Sequence, residues 1–587
     1  MDDSTVAPAI IQDGHEHIEK VSAATRKPST GGWNAAIFII FVEVAERFAY
    51  FGLSGNLITY LTNDLHESTV TAAKNVNTWI GVSSIFPILG AFLADSFLGR
   101  FKTILLSTTI FFIGLVLLTL TVSTTIPMSH RESVFFLSLY ILAIGEGGHK
   151  PCVQTFAADQ FDEEKPEEKS AKSSFFNWWY LGIVASATAA VLVVVYVQDN
   201  VGWTEGFGMM AGVVAAALVI FLVGIKRYRK EAPVGSPYTA VMQVLIAAAR
   251  KRQVDGTGQG WGICYENYDK DGADLEVHGQ PRLRTLARTK QFRFLDKAMI
   301  IDNIDASSNA RNPWRLCTLN QVEEVKLVFR LIPIWLSCLM FTAIIVQTNT
   351  FFTKQGSTMI RSIGSNFQFP PASLQSLIGV TILIAVPTYD RVFVPMARKI
   401  TGHPSGITML QRIGIGLFLS VLQMAVSALV ETKRVSTARD HGLLDNPKAI
   451  VPMAVWWLLP QYMLSGLADL FAVVGLQELF YDQVPEAMRS MGAAAYLSIL
   501  GLGSFINSAV ISVVQAITSK YGHVWLGDNL NRAHLDYFYW VMAVLSALNL
   551  CVYVWVANGF VYKKVEGEET EEGEKELVLE GHLDLNI

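Results

Sequence analysis

Runs of about twenty apolar residues recur along almost the whole chain, and they fix the fold class before any motif is read. A backbone in hydrocarbon must satisfy its own N–H and C=O groups, so such runs are helices. Hydrophobic residues make up 51% of the 587 and charged residues 17%, against roughly 25% charged in soluble proteins. The mean hydropathy is +0.35. The sequence therefore predicts an all-α polytopic protein of the lipid bilayer. A net charge of −5 gives no reason to expect a nucleic-acid partner. The five cysteines are scattered without metal or disulfide spacing, so neither a metal nor a cofactor is expected. The first 30 residues are polar and lack an apolar core, so no cleavable signal peptide is expected.

The runs place helices at about Ala35–Leu61, Thr78–Phe97, Thr103–Val122, Val134–Phe156, Ser174–Val197 and Phe207–Ile225. A second set follows at about Val325–Phe352, Ala372–Tyr389, Ile407–Val430, Val451–Phe480, Met491–Thr518 and Leu535–Val561. The chain divides into a polar tail (1–32), a first six-helix half (33–230), a polar linker (231–324), a second half (325–562) and an acidic tail (563–587). Arg100 and Lys102 in the tight turn after the second helix, and the KRYRK cluster at Lys226–Lys230, put those loops in the cytoplasm by the positive-inside rule. Twelve spans then put both termini and the linker inside. The four basic residues in Glu431–Lys448 run against that rule. The linker stretch Leu283–Ile301 mixes Arg and Lys with Leu, Phe and Met and is expected to form an amphipathic helix against the membrane or the bundle.

Charge inside the apolar runs marks the candidate site. Glu43, Glu46 and Arg47 lie at i, i+3 and i+4 and project from one helix face. Each costs roughly 3 kcal/mol on insertion scales, so the face turns inward. A carboxylate whose affinity for H⁺ is set by burial and a neighbouring guanidinium is a proton-coupling site; the bland alternative is a structural ion pair. In the fourth helix, Lys150 lies in GEGGHKP, and Glu478 lies in the tenth. Each needs a partner, and the expectation is that they pair across the two halves in one conformation and part in another; the alternative is a Glu478 close enough to the surface to be hydrated. His149 is read first as a packing or hydrogen-bonding residue and second as a titrating one. Tyr50, His149, Trp178, Gln347, Asn349, Trp457 and Gln461 are candidates for a cavity that takes a small polar or anionic solute; packing is the alternative for each aromatic. Asp95 and Arg100 are read as a gate or tether of the 2–3 turn. An enzyme would need a nucleophile and base or a metal set, and His149 alone supplies neither.

Glu43-Val-Ala-Glu46-Arg47 resembles the ExxER motif of the proton-coupled oligopeptide transporters, a branch of the major facilitator superfamily. GAFLADSFLGRFKTI (Gly90–Ile104) resembles that family's signature after helix 2, and FFNWWY (Phe175–Tyr180) its helix 5 signature. The following Leu181-Gly182-Ile183-Val184 departs from the usual Ile-Asn-x-Gly. FRFLDKA (Phe292–Ala298), WRLCTLNQVEEVK (Trp314–Lys326) and ELFYDQVPEAMRS (Glu478–Ser490) are similar to the plant nitrate/peptide transporter branch, as is the long linker. The resemblance implies two six-helix bundles, alternating access, and solute uptake coupled to H⁺. It implies proton coupling by Glu43, Glu46 and Arg47, and an interdomain bridge between Lys150 and Glu478 that helps to bind substrate or proton. Nitrate, di- and tripeptides, hormones and secondary metabolites are all cargo in that branch. The helix 7 histidine of some nitrate carriers is absent here, with Ile345 in its place, and Phe51 replaces a second tyrosine of some peptide carriers. A carrier-fold sensor that signals through the linker is the competing class, and a proton-independent facilitator the competing mechanism. Plasma and vacuolar membranes both occur in the family.

Overall fold

The computed structural model describes residues 31–563, apart from short internal segments and most of 254–287. The two tails therefore lie outside the described residues, as does part of the expected Leu283–Ile301 helix. Twelve long helices carry the fold. The first half holds α1 (Trp33–Ser54), α2 (Thr69–Leu93), α3 (Arg100–Val122), α4 (Met128–Ala158), α5 (Pro166–Asn200) and α6 (Trp203–Val223). The second holds α7 (Leu319–Ser337, continued after a 45° bend by Leu339–Ser357), α8 (Ser376–Thr388, extended to Thr401), α9 (Met409–Asp440), α10 (Leu459–Asp482), α11 (Arg489–Lys520) and α12 (Leu535–Asn558). Among the described residues, nine helices are long and apolar enough to cross a bilayer, and bent α7 makes a tenth. The other two, α1 and α4, carry the intramembrane charges. Large apolar side chains such as Val219, Val544, Leu548 and Trp555 point outward, as a lipid solvent requires.

Packing reveals a repeat that the residues conceal. Helix α1 packs on α5 and α6, α3 on α4 and α6, and α2 on α4; six helices later, α9 packs on α10 and α12, and α8 on α10. The halves meet through α2 against α11 and α5 against α8, a pair of contacts that the same shift of six exchanges. Close approach rests on glycine. An added Cβ at Gly90 of α2 would overlap the Gly147 carbonyl of α4, and one at Gly416 of α9 would collide with Ala472 of α10.

Several expected limits change for identifiable reasons. Helix α9 runs ten residues past Val430 because Glu431 and Arg434 are buried against each other. That pairing also accounts for one of the basic residues that ran against the charge rule. Strand Val451–Ala454, paired with Met359–Ile360, and a 3-10 turn replace the expected start of the tenth helix. The linker's amphipathic helix is Pro237–Arg250 instead of Leu283–Ile301. In the latter stretch Phe292 has φ 49°, which interrupts any helix, and among the described residues only the turn Leu295–Met299 is helical. Two of its charges are in ion pairs: Lys326 Nζ lies 2.5 Å from Asp296 Oδ1 and 2.7 Å from Glu323 Oε1, and Arg288 reaches Asp296 at 3.2 Å. Val244, Ala247, Leu295 and Met299 share one core with Leu319 and Val322 at the foot of α7. Thr318 and Gln321 start that helix with a capping box.

The face that carries the linker is called the linker face, and the opposite one the distal face. Among the described residues, four hydrogen bonds join the halves distally. Asp528 Oδ1 accepts from Thr69 N at 2.7 Å, and Thr62 Oγ1 accepts from Lys354 Nζ at 3.0 Å. Gln375 Nε2 donates to Gly55 O at 2.9 Å, and Ser373 Oγ donates to Val191 O at 2.9 Å. The distal end is closed. At the linker face Glu478 and Tyr481 are largely exposed.

Within the first half, the linker face is latched by Glu168 at the start of α5. Its carboxylate accepts from Arg229 Nη1 at 2.7 Å, Asp162 N at 2.7 Å and Lys165 Nζ at 3.0 Å. The Arg229 guanidinium holds this carboxyl down to about 2. A folded-state value below the ordinary one means stability present above about pH 4.5 and lost as pH falls toward 2. Glu168→Gln is therefore expected to lower the thermal midpoint of the purified protein at pH 7, with the difference from wild type shrinking below pH 4.5. A constant difference across that range would contradict the latch. Gly90→Ala is expected to cost about 1–3 kcal/mol by overpacking. Gly212→Ala, where a Cβ meets nothing within 4 Å, is the control and should leave the melting temperature unchanged or raise it slightly.

Candidate functional site

The α1 face folds as its spacing demands. Arg47 Nε lies 2.8 Å from Glu43 Oε1 and 3.2 Å from Glu46 Oε2, and both carboxylates are buried. Helix α4 completes the cluster, because Gly145, Gly147 and Gly148 let it approach α2 and α3 closely. His149 Nε2 is 3.4 Å from Glu43 Oε2, and its Nδ1 is 3.2 Å from Thr108 Oγ1 of α3. Lys150 pairs with Glu146, one turn earlier on the same helix, and its Nζ sits 4.1 Å from the centre of the Tyr50 ring. Tyr50 in turn stacks on Trp79 at 5.5 Å. Three carboxylates and two fixed cations are thus buried together beside one imidazole.

Glu43, Glu46 and His149 present donor atoms within 4.8 Å of one another. Arg47 already lies on both carboxylates, and a metal ion would face that guanidinium directly. The set is an ion-pair cluster and does not suit a metal.

The structure does not bring Lys150 and Glu478 together. Lys150 is held by Glu146. Glu478 lies near the linker-face end of α10, where Arg412 Nη1 reaches it at 3.3 Å beside a cavity of about 360 Å³ lined in part by Tyr389, Asp390 and Tyr562. The reason is length along the helix. The carboxylate of α10 that looks toward the first half is Asp469, nine residues earlier and so about 13 Å away along the axis. Asp469 shares an electrostatic neighbourhood with Tyr180 of α5 and Tyr496 of α11, and Tyr496 with Arg47. One Asp469 oxygen is buried without a hydrogen-bond partner among the described residues. Sequence reasoning passed over Asp469 because a single acid in an apolar run carries no spacing pattern.

The cavity candidates separate. Tyr50 belongs to the cluster. Gln347 is buried and donates to Asn507 Oδ1 at 2.7 Å, and Asn349 ends the same 3-10 turn of α7, half-buried. Gln461 is buried distally and donates to Gln355 Oε1 at 3.1 Å. Trp178 and Trp457 are 59% and 53% exposed, so neither lines an enclosed space. Aromatics with a polar edge suit a bilayer interface as well as a cavity, and spacing cannot separate the two. Asp95 lies in the π-turn Ala94–Leu98, Gly99 adopts φ 77°, and Arg100 reaches across to Asp159 at the end of α4. Arg100 therefore ties the 2–3 turn to α4, with Asp95 in its field.

A second buried charge pair lies distally. Arg434 is fully buried, and its guanidinium donates to Glu431 at 2.6 and 2.8 Å, to Asn531 Oδ1 and Leu530 O at 2.7 Å, and to Thr358 Oγ1 at 3.1 Å. Gln355 Nε2 donates to Glu431 Oε2 at 2.7 Å. With every donor engaged, this pair is a clamp on the end of α7.

The model of the POT family matches residues 101–526. Protein NRT1/ PTR FAMILY 5.4 of Arabidopsis thaliana is 59% identical over 543 residues, which is 92% of this chain and 97% of that one. Protein NRT1/ PTR FAMILY 5.10 of Arabidopsis thaliana is 48% identical over 558 residues, 92% of this chain and 95% of that one. Among solved structures, the POT family transporter PepTSo superposes with a TM-score of 0.66 at 20% identity, covering 90% of this chain and 98% of that one. An auto-inhibited POT family peptide transporter gives a TM-score of 0.63 at 20% identity, covering 89% and 96%. The two-bundle major facilitator fold is thereby matched almost end to end, and with the family model and close relatives in agreement, the chain belongs to the POT family of transporters.

Proposed function

We propose that the chain is a proton-coupled symporter of a small polar or anionic solute, nitrate or a di- or tripeptide, working by alternating access between the two bundles. The observation that carries this reading is the buried pair Glu43 and Glu46 on Arg47, at a helix face that meets His149 of α4. A carboxylate held in this way binds H⁺ more readily when the guanidinium moves off it, and releases H⁺ when the guanidinium returns. Rearrangement at the bundle interface is therefore linked to proton binding, and by reciprocity proton binding is linked to rearrangement.

The closed distal end and the exposed linker face correspond to a site open toward the linker. In the opposite state α4 and α10 close together. Lys150 then has Asp469 before it, and its hold on Glu146 is open to competition. A solute carboxylate or nitrate oxygen offers Lys150 the same chemistry as Glu146. Lys150 is thus the residue through which an anionic group on the solute enters the charge balance of the proton site.

Uptake of labelled nitrate and of a labelled dipeptide by oocytes, at pH 5.5 and 7.5, tests this. Acid stimulation of one solute is expected. Glu46→Gln should remove it, lowering uptake at pH 5.5 by about 5- to 150-fold, the range of ordinary coupling energies between two sites. Uptake indifferent to pH and to the substitution would mean a facilitator without proton coupling. A surface-expressed protein that moves neither solute would point to a hormone or secondary metabolite.

A further inference from the structure

We propose that His149 is a proton-binding member of the α1 site, sharing one proton with Glu43. The inference rests on the proton-coupled reading above and names a further residue that carries it.

The geometry comes first. His149 is 1% exposed, with Nε2 3.4 Å from Glu43 Oε2 and Nδ1 3.2 Å from Thr108 Oγ1. The ring is thus held between a carboxylate and a hydroxyl. With Nδ1–H donating to this hydroxyl in both charge states, Nε2, the nitrogen that faces Glu43, is the one that gains or loses the proton. No rearrangement of α3 is needed when the proton arrives.

Charge balance comes second. Around His149 stand Glu43, Glu46, Arg47 and Tyr50 on α1, and Glu146 and Lys150 on its own helix. From α11, Tyr496 faces Arg47. Helix α3 presents Thr103, Ser107 and Thr108, and α2 presents Phe86 and Gly90 where the glycines of α4 pack. Three carboxylates therefore face two fixed cations, and one added proton brings the set to neutrality. An uncompensated charge buried in a bilayer core costs several kcal/mol, so the set retains that proton in preference to standing charged. His149 Nε2 forms no hydrogen bond as it stands, and Glu43 is the carboxylate within 4 Å of it among the described residues. The proton passes between Nε2 and Oε2, and no other atom changes its bonding. When it rests on His149 the carboxylate of Glu43 remains on Arg47; when it rests on Glu43 that carboxylate is free to leave.

A packing histidine would do neither, and histidine-labelled full-length protein in lipid nanodiscs separates the two. The imidazole signal is assigned by its loss in His149→Gln. In wild type the ring is expected to take up a proton between pH 8 and pH 5. In Glu43→Gln the same change should be lost or displaced by about one pH unit or more toward acid. Glu43→Asp, which keeps the charge but shortens the reach, should displace it in the same direction and serves if Glu43→Gln does not fold. A ring that stays neutral to pH 5 in wild type, or one whose transition ignores both substitutions, overturns the proposal. The measurement needs no solute, so it can fail while acid-stimulated uptake stands, and hold where neither nitrate nor dipeptide is carried.

Discussion

Everything distinctive about this protein follows from the cost of charge in hydrocarbon. An isolated ion in the bilayer core is expensive, so each one must be matched in place by the fold. The chain does this twice, with opposite results. Glu431 and Arg434 form a pair in which the guanidinium has a partner for every donor, from two helices' ends and a loop. Moving either residue would orphan a buried charge, so the pair fixes the end of α7 against α9 and the loop before α12. The α1–α4 cluster is matched only in part. Both oxygens of Glu46 and of Glu146 lack a well-formed hydrogen bond among the described residues, even though cations stand beside them. A partly satisfied network has alternatives close in energy, and a site that must bind and release needs such alternatives.

The same contrast runs through the bundle contacts. Distally, backbone carbonyls and amides take part in three of the four cross-bundle hydrogen bonds, and Lys354, Thr353 and Gln355 put three successive residues of one short helix into the gate, the Gln375 contact and the clamp. Because that helix follows the 45° bend of α7, force on the clamp and force on the gate act on one rigid turn. The linker adds a second constraint. Its helix Pro237–Arg250 touches α2 through Tyr238 and Phe92, ring centres 5.9 Å apart, while Val244 and Ala247 pack on the foot of α7. The two motifs FRFLDKA and WRLCTLNQVEEVK thereby find a physical meaning: Asp296 of the first receives Lys326 of the second.

How much of this was legible depended on whether a feature carries a period. The α1 face did, because three charges at i, i+3 and i+4 can only share a side, and the twelve apolar runs did, because their length is set by the bilayer. The 2–3 turn was legible through Gly99, whose positive φ lets α2 reverse into α3. What the sequence left open had no period. Glu478 and Asp469 are both single acids in α10, and only the rotation and height of the helix tell which one faces the other bundle. Arg434 read as loop charge because its four partners come from 358, 431, 530 and 531. The linker helix falls at Pro237–Arg250 and not at 283–301, where mixed charge and apolar residues looked amphipathic, although the positive φ of Phe292 breaks that stretch and Asp296 is paired with Lys326. His149 lay between two readings that composition could not separate, and the 3.4 Å contact with Glu43 is the observation on which the proton-binding proposal rests.

The place of the cluster within the fold is itself an argument for coupling. Its six ionisable groups come from α1 and α4, within one half, so the site can keep its proton while the halves move. The groups facing it from the other half, Asp469 and Tyr496, are on α10 and α11. In the proposed cycle, closing the linker face would bring the Asp469 carboxylate toward Lys150 and Arg47, and a new anion beside two cations would draw them from Glu146 and Glu43. The released carboxylates are then the groups that must hold H⁺. Loading of the proton and closure of the bundles are in this way one electrostatic event, seen from its two sides.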